Sequence, residues 1–163
     1  MTMINDQMYA WVKKNLPIPT ADALIMGKGG VLLLRRKNEP EAGKWWTPGG
    51  RVMLGEKIEE ALKRIVKAET GIQVDVLSVL GVLQVITPYS HTIGPIHFCC
   101  PVGEEDVVLD GQHDDFQWAT VCTDAAPTIR VYVDNALRFW RNPETIRRNA
   151  NEHKVPDRNL RRG

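Results

Sequence analysis

The chain has 163 residues, 43% of them hydrophobic and 25% charged, which predicts one domain with a buried core and little room for a second. The formal net charge of +1 argues against nonspecific nucleic-acid binding, which needs a basic excess or stripe. No apolar run approaches the roughly 20 residues of a membrane span, no signal-peptide pattern opens the chain, and the three cysteines lack CxxC spacing. We therefore expect a soluble cytoplasmic protein with no nucleic-acid or membrane partner.

The first segment is predicted to be a short helix over residues 6–15, followed by a break at Pro17-Ile18-Pro19. An apolar stripe at helical spacing runs along this helix and consists of Met8, Trp11, Val12 and Leu16. The stripe must be covered either by the domain itself or by a second subunit. We favour a homodimer as the hypothesis.

A β-hairpin is predicted next, with apolar strands at residues 21–26 and 31–35 on either side of Gly27-Lys28-Gly29-Gly30. The later loop Pro48-Gly49-Gly50 lets the backbone approach a ligand closely, because its glycines have no Cβ in the way. Arg51 follows at once and can act as a fork for phosphate oxygens.

The longest predicted helix lies after this loop. Apolar residues recur at spacings of three and four between a Gly-Glu start and a Thr-Gly stop, and Glu69 falls in the last turn. The charged residues of such a helix could simply form a solvated face with paired charges. The fixed spacing of glycines, acids and an arginine over residues 50–72 is far more specific than a charge run.

This spacing resembles the signature of the Nudix hydrolases. Seven of its nine fixed positions are matched, by Gly50, Glu56, Arg64, Val66, Glu69, Gly71 and Ile72. The other two positions are glutamate in the signature, and here they are Ile65 and Ala68. Two expected metal-binding carboxylates are therefore missing.

The missing carboxylates change the predicted chemistry. Mg²⁺ prefers octahedral oxygen ligation, so each lost carboxylate makes a cluster of several ions harder to hold. Attack of water on phosphorus gains most from two or more ions. With Glu69 as the main remaining carboxylate we expect one Mg²⁺ per active site, with Mn²⁺ able to substitute. A single ion suits a diphosphate leaving group and a reaction at the carbon attached to it, as in a nucleotide sugar.

The remaining elements complete an α/β fold. The sequence predicts strands at 73–87 and 92–102 around a turn at 88–90, a strand at 116–119, and helices at 130–140 and near 144–152. Strands on both sides of a central helix suggest an α/β/α sandwich around a mixed β-sheet, as the Nudix resemblance implies. We predict one domain over residues 1–163, divided into an N-terminal helix and break (1–19), a catalytic core (20–141) and a basic C-terminal helix or tail (142–163).

The segment 112–118, QHDDFQW, follows a polar turn and runs into the strand predicted at 116–119, and its histidine is predicted to lie in a loop. Displacement at an anomeric carbon by water calls for a general base whose pKa is near the working pH, and histidine needs the least tuning. A lone histidine in a polar turn is more often an exposed surface residue without a catalytic role. The motifs around His113 make it the candidate base.

Three features together resemble one Nudix branch, the GDP-mannose mannosyl hydrolases, over about residues 20–120: the altered helix, QHDDFQW, and the upstream NEPEAGKWWTPGGRV. Members of this branch displace GDP from the sugar C1 with inversion, using water, one Mg²⁺ and a histidine base in a mobile loop. The substrate implied is a GDP-sugar of the GDP-mannose or GDP-glucose type.

The resemblance also implies a role for each matching residue. The metal ligands would be the Gly49 carbonyl, the Glu69 carboxylate and the Gln112 side-chain oxygen. The catalytic residues would be His113, which activates the water, together with Arg36 and Arg51. The residues that contact substrate or orient the diphosphate would be Asp22, Arg36, Arg51 and Arg64.

One departure and two alternatives remain. The branch has a tyrosine that assists the leaving group, and the nearest equivalent here is His97-Phe98. An ordinary Nudix pyrophosphohydrolase, cleaving a nucleoside diphosphate derivative at phosphorus, stays open if Glu59 or Glu60 replaces the missing ligands. A nucleotide-binding module without turnover is the third possibility.

Overall fold

The computed structural model describes residues 5–39, 41–122 and 125–141. Its elements in chain order are α1 (Asp6–Asn15), β1 (Ile18–Gly27), β2 (Gly30–Arg36), β3 (Trp45–Trp46), β4 (Gly49–Arg51), α2 (Ile58–Thr70), β5 (Val74–Ile86), β6 (His91–Pro101), β7 (His113–Ala119) and α3 (Pro127–Arg141). The helix predicted near 144–152 and the basic tail at 142–163 lie outside the described residues.

The strands form one mixed sheet in which β3, β2, β1, β6 and β5 are neighbours in that order, while β4 pairs with β1 and β7 pairs with β2. The β1–β6 pair is parallel and the others are antiparallel. One face of the sheet packs on α2 through residues such as Leu62 and Val66, and the other packs on α3 through Ile129 and Val133. The predicted α/β/α sandwich around a mixed sheet is confirmed.

The helix α2 ends as the sequence predicts. Gly71 adopts a φ of 74°, a conformation that favours glycine, and its N–H donates to the Lys67 carbonyl. The buried side of α2 packs on the sheet and includes Glu69 in its last turn. The end of α2 therefore carries a carboxylate into the protein beside β4.

Three boundaries differ from the prediction. The segment that forms β4 was predicted as loop, and no strand was predicted at β3; both short strands form because β1 and β2 supply their hydrogen-bond partners. β7 begins at His113 rather than Phe116. α3 begins at Pro127, three residues before the predicted start at Arg130, and proline suits a first helical turn because its missing N–H would have no partner there.

The outer side of α1 is not covered by the domain. Met8, Trp11 and Leu16 are 54%, 59% and 51% exposed, whereas Val12 is half-buried. The domain itself does not bury this apolar stripe, so burial by a second subunit is the hypothesis that is left. None of the helices in the described ranges is both long and apolar enough to cross a membrane.

Candidate active site

A cleft of about 640 Å³ lies over the first half of β1. Ile18, Thr20 and Asp22 form its floor. The parallel pairing of Ile18 with Thr92 places the β5–β6 hairpin at one end, and the antiparallel pairing of Asp22 with Gly49 places β4 at the other. The remaining walls come from α1, from the loop after β2, and from the turn before β7.

The Gly49 position requires glycine. A Cβ there would collide with the carboxylate of Asp22, the residue opposite it in the β1–β4 pair. The same close approach lets the Gly49 N–H donate to Glu69 Oε2 at 3.1 Å. The predicted glycine loop thus holds two carboxyl side chains against one short strand.

Glu69 is the carboxylate that α2 presents to the cleft-lining Gly49, although Glu69 itself is not among the residues that line the cleft. It is only 8% exposed. Burial raises the pKa of Glu69 to about 8; the hydrogen bond from Gly49 opposes this, and the negative charges of Asp110 and Asp22 add to it. The folded protein therefore favours either a proton or a cation at this carboxylate.

Asp22 is in a similar position. Burial raises the pKa of Asp22 to about 7, although hydrogen bonds with the Trp46 and Thr20 side chains and the charge of Arg36 act to lower it. Arg36 lines the cleft and influences both carboxyl groups. Asp22 and Arg36, two of the predicted substrate-binding residues, are thus brought together at the β4 end.

The third predicted ligand, Gln112, also lines the cleft. The backbone N–H of Asp110 donates to the Glu69 carbonyl at 3.3 Å, which fixes the turn before β7 beside the end of α2. The Gln112 side-chain amide donates to Asp110 Oδ2 at 3.0 Å, so its oxygen points away from that carboxylate.

These residues fit a single hard divalent cation. A buried carboxylate, an amide oxygen and a backbone carbonyl are the oxygen donors that Mg²⁺ prefers, and the charge of a cation would relieve the unfavourable burial of Glu69. No group of three or more His, Cys, Asp or Glu side chains within the described ranges is arranged to hold a metal. The donor set therefore differs from a carboxylate cluster.

His113 lies on a strand and not in a loop, which corrects the prediction. It is the first residue of β7, where it pairs with Arg36 of β2, and it is 9% exposed. The register shifts at this point, so that Arg35 pairs with Asp115 and Asp114 is passed over. His113 follows Gln112 in the chain and pairs with Arg36, and both of these residues line the cleft, but His113 itself is not among the lining residues.

An aspartate orients this histidine. His113 Nδ1 is 2.8 Å from Asp110 Oδ1. Burial acts to raise the pKa of Asp110, but hydrogen bonds from His113 and Gln112 outweigh it and leave the pKa below its ordinary value. An ionised Asp110 accepts the Nδ1 proton, so the neutral imidazole has its lone pair on Nε2. This is the tautomer that a general base requires.

Arg64 does not line the cleft. Its guanidinium forms a two-pronged contact with Glu56 at 2.7 and 2.8 Å and donates to the Arg51 carbonyl at 3.0 Å. Glu56 in turn accepts from the Met53 N–H. Arg64 therefore fixes the chain between β4 and α2, and its link to the substrate runs through Arg51, which does line the cleft.

We expect Arg64→Lys to be nearly as damaging as Arg64→Met, because a lysine cannot reproduce the planar fork that spans Glu56 and the Arg51 carbonyl. Each variant should lower kcat/KM roughly tenfold, the usual worth of a hydrogen bond to a charged group. Lys63→Met, one residue away on the exposed side of α2, is the matched control. Full activity of Arg64→Lys would show that a positive charge at this position is enough for activity and that the planar fork of the guanidinium is not needed.

The two residues that replace glutamate in the Nudix pattern lie on α2. Ile65 is buried, and its side chain is the nearest neighbour of a Cβ placed on Gly50. Ala68 is exposed. Glu59 and Glu60 lie in the first turn of α2, about 15 Å from Glu69 along the axis at 1.5 Å per residue. Neither can join Glu69 on one metal ion.

The position of His97 and Phe98 shows whether either could replace the tyrosine that assists the leaving group in the mannosyl hydrolase branch. Neither His97 nor Phe98 is among the residues lining the cleft. His97 is buried in the sheet with its Nδ1 unpaired within the described structure, and burial lowers the pKa of its imidazole. Tyr9 of α1 and Tyr89 of the β5–β6 turn line the cleft instead. Sequence reasoning missed both, because α1 and the turn meet the cleft only in the folded sheet.

Residues 16–128 match the model for the NUDIX domain. This range is well over half of the chain, so the chain belongs to the Nudix family of hydrolases. Enzymes of this family generally use a divalent metal such as Mg²⁺ and bind nucleotide derivatives.

Two relatives and one solved structure are informative. The low-salt glycan biosynthesis protein Agl8 of Haloferax volcanii is 39% identical over 123 residues, which cover 71% of this chain and 79% of Agl8. The ADP-ribose pyrophosphatase of Methanocaldococcus jannaschii is 37% identical over 91 residues, 55% of this chain and 54% of that enzyme. The MutT protein of Methanosarcina mazei superposes with a TM-score of 0.65 at 28% identity, covering 78% of this chain and 96% of that one.

The two raised pKa values predict how stability depends on pH. Both Asp22 and Glu69 bind their protons more tightly in the folded protein. The pKa of Asp22 rises from 3.8 to about 7, and the pKa of Glu69 rises from 4.5 to about 8. The folded state thus holds more protons than the unfolded state in this range, so stability falls as the pH rises through it.

We expect the melting temperature of the chelator-treated protein to fall between pH 5 and pH 8, and Glu69→Gln to flatten this fall, in calorimetric scans across that range. A wild-type melting temperature that rises over the same interval would contradict the assignment of buried protons to these carboxyl groups.

Proposed function

We propose that the protein catalyses Mg²⁺-dependent hydrolysis of a GDP-sugar, of the GDP-mannose or GDP-glucose type, to GDP and free sugar. Water attacks the anomeric carbon, and His113 acts as the general base. One metal ion per active site suffices, and Mn²⁺ is expected to substitute for Mg²⁺. This is a glycosyl hydrolysis on a Nudix fold rather than cleavage between phosphates.

The observation that carries the proposal is the single α2 carboxylate beside the glycine loop. Ile65 packs toward Gly50 where the Nudix pattern has a glutamate, Ala68 replaces another, and Glu59 is about 15 Å up the helix. Cleavage at phosphorus gains most from two or more ions that clamp both attacking and leaving oxygens. A site to which α2 contributes only one carboxylate is better suited to stabilising an intact diphosphate as the leaving group.

The residues at the β4 end of the cleft have separate roles in the proposed mechanism. Glu69, Gln112 and the Gly49 carbonyl would hold the Mg²⁺, whose charge would stabilise the diphosphate as the leaving group. Arg36 and Arg51 bind and orient the diphosphate oxygens, and Asp22 accepts hydrogen bonds from the substrate. The C1–O bond breaks, the diphosphate leaves with the oxygen, and the water forms the new bond to C1.

His113 takes the proton from that water. Its Nδ1–H is held by Asp110, so the proton arrives at Nε2 and the resulting imidazolium is stabilised by the adjacent carboxylate. The water must reach the imidazole from the side of Gln112 and Arg36, its neighbours at the cleft.

The name of the Agl8 relative, a glycan biosynthesis protein, supports a sugar-containing substrate. The test is product analysis by mass spectrometry after incubation with GDP-mannose or GDP-glucose and Mg²⁺. GDP plus free hexose is the expected outcome, and GMP plus hexose phosphate would refute cleavage at carbon. The panel should include UDP- and ADP-sugars, so that base and sugar selectivity are measured together.

The second candidate is an ordinary Nudix pyrophosphohydrolase, favoured by the similarity to an ADP-ribose pyrophosphatase. It predicts AMP and ribose 5-phosphate from ADP-ribose at a rate above that on any GDP-sugar. A non-catalytic nucleotide-binding module is the third candidate, and it predicts tight binding of GDP with no product from any member of the panel.

Assembly and location are also part of the proposal. The uncovered side of α1, with Met8, Trp11 and Leu16 exposed, supports a homodimer, and a monomer mass by light scattering would exclude it. The free cysteines are consistent with a reducing cytoplasm.

A further inference from the structure

The helix α1 precedes the residues that match the Nudix domain, which begin at residue 16. Two of its side chains nevertheless line the cleft, Tyr9 and Lys13. They are four residues apart and therefore lie on one side of the helix. α1 thus adds a wall to the cleft that the matched domain does not supply.

This wall has a defined arrangement of charges. The Arg51 guanidinium lies 4.2 Å from the centroid of the Tyr9 ring, and the Lys13 ammonium lies 4.9 Å from the same centroid. Both distances are within the range of a cation–π contact. Tyr9 and Lys13 are half-buried, whereas Lys14 on the adjacent face of α1 is exposed.

Two cations around one ring repel each other, and the repulsion grows as water is excluded from the cleft. An anion that contacts both removes this cost. The acidic residues that line the cleft other than Asp22 are Glu39 and Glu41, which belong to the loop after β2 and not to α1. Lys13 is the charged side chain that α1 itself contributes to the cleft lining, and Arg51 is held against α1 through Tyr9.

We propose that α1 completes the diphosphate-binding part of the site. Lys13 donates to the phosphate oxygens of the bound nucleotide, and Tyr9 positions Arg51 so that its guanidinium meets the same diphosphate. The identity of the diphosphate as a leaving group rests on the proposed function, whereas binding by α1 requires only that the ligand carries a diphosphate.

The test is calorimetric titration of the full chain with GDP in the presence of Mg²⁺. Lys13→Met should weaken GDP binding about tenfold, since a charged hydrogen bond is lost. Lys14→Met is the matched control, with the same change on the next residue, and should bind like wild type. Tyr9→Leu should weaken binding about threefold, and Tyr9→Phe should restore wild-type affinity because the ring face is kept.

Two further measurements separate a diphosphate contact from other roles of α1. The affinity for inorganic pyrophosphate should fall in Lys13→Met by the same factor as for GDP. The salt dependence of GDP binding should be weaker in Lys13→Met than in Lys14→Met, because one screened charge contact is gone. Equal melting temperatures of these two variants would exclude loss of folding as the cause.

The proposal is overturned if Lys13→Met and Lys14→Met bind GDP equally, or if the Tyr9 and Lys13 variants lose affinity for GDP but not for pyrophosphate, which would place the base against α1. Neither outcome depends on where the substrate is cleaved. Cleavage at phosphorus would refute the proposed function and leave the binding role of α1 intact.

Discussion

Replacement of His113 by glutamine is expected to lower kcat on a GDP-sugar by about 10²- to 10⁴-fold, the usual contribution of a general base. Glutamine can still donate to Asp110, so the turn before β7 should keep its shape. The KM should change little, because His113 is beside the cleft-lining residues rather than among them. Steady-state kinetics with calorimetric binding of GDP measures the two effects separately.

His91→Gln is the matched control. His91 lies at the start of β6, where its ring contacts the Gln84 side chain at 2.8 Å, and it does not line the cleft. We expect it to keep wild-type kcat. A His113→Gln enzyme with near-normal turnover would remove His113 as the base, and an equal loss in both variants would point to damaged folding of the sheet.

Replacement of Glu69 by glutamine should have an effect of similar size through the metal. The amide can still accept the Gly49 N–H, but it carries no charge to bind Mg²⁺. Even outer partners of metal ligands change affinity about 10- to 100-fold, so we expect Mg²⁺ affinity and turnover to fall by at least about 100-fold. Titration of Mg²⁺ against activity measures both.

Glu60→Gln tests the opposite expectation. Glu60 lies in the first turn of α2 and faces Lys57 at 4.0 Å, far from the glycine loop. If Glu60→Gln lost Mg²⁺ affinity as Glu69→Gln does, the ion would lie nearer the start of α2 and the single-carboxylate site would be wrong. Wild-type behaviour of Glu60→Gln beside an inactive Glu69→Gln would support it.

The elements with strong local signals were predicted well. The apolar period of three and four residues and the terminal Gly71 define α2, and the two long apolar runs around residues 88–90 define the β5–β6 hairpin. The close backbone approach at Gly49 was also predicted, because glycine marks such a position in the sequence, although the segment forms the short strand β4 instead of a loop. Gly49 and Glu69, far apart in sequence, meet through a hydrogen bond from the Gly49 N–H to Glu69 Oε2, and their role as metal ligands stays a prediction.

Features that depend on long-range pairing could not be predicted from local patterns. His113 was expected in a loop, but β2 supplies a ladder partner through Arg36, with Asp114 bulged out and paired with Arg35 at 2.7 Å. Arg64 was expected near the substrate, and its partners Glu56 and Arg51 are known only from the fold. The approach of α1 to the cleft likewise arises from packing, with no motif to mark it.

Hydrolysis of a GDP-sugar in ¹⁸O-labelled water, with Mg²⁺ present, tests the central claim most directly. The bond that breaks decides which product carries the label, and mass spectrometry identifies that product. We predict ¹⁸O in the free sugar and unlabelled GDP, because water attacks the anomeric carbon. Label in GMP or in the hexose phosphate would mean attack at phosphorus, and would contradict the single-ion site with His113 as its base.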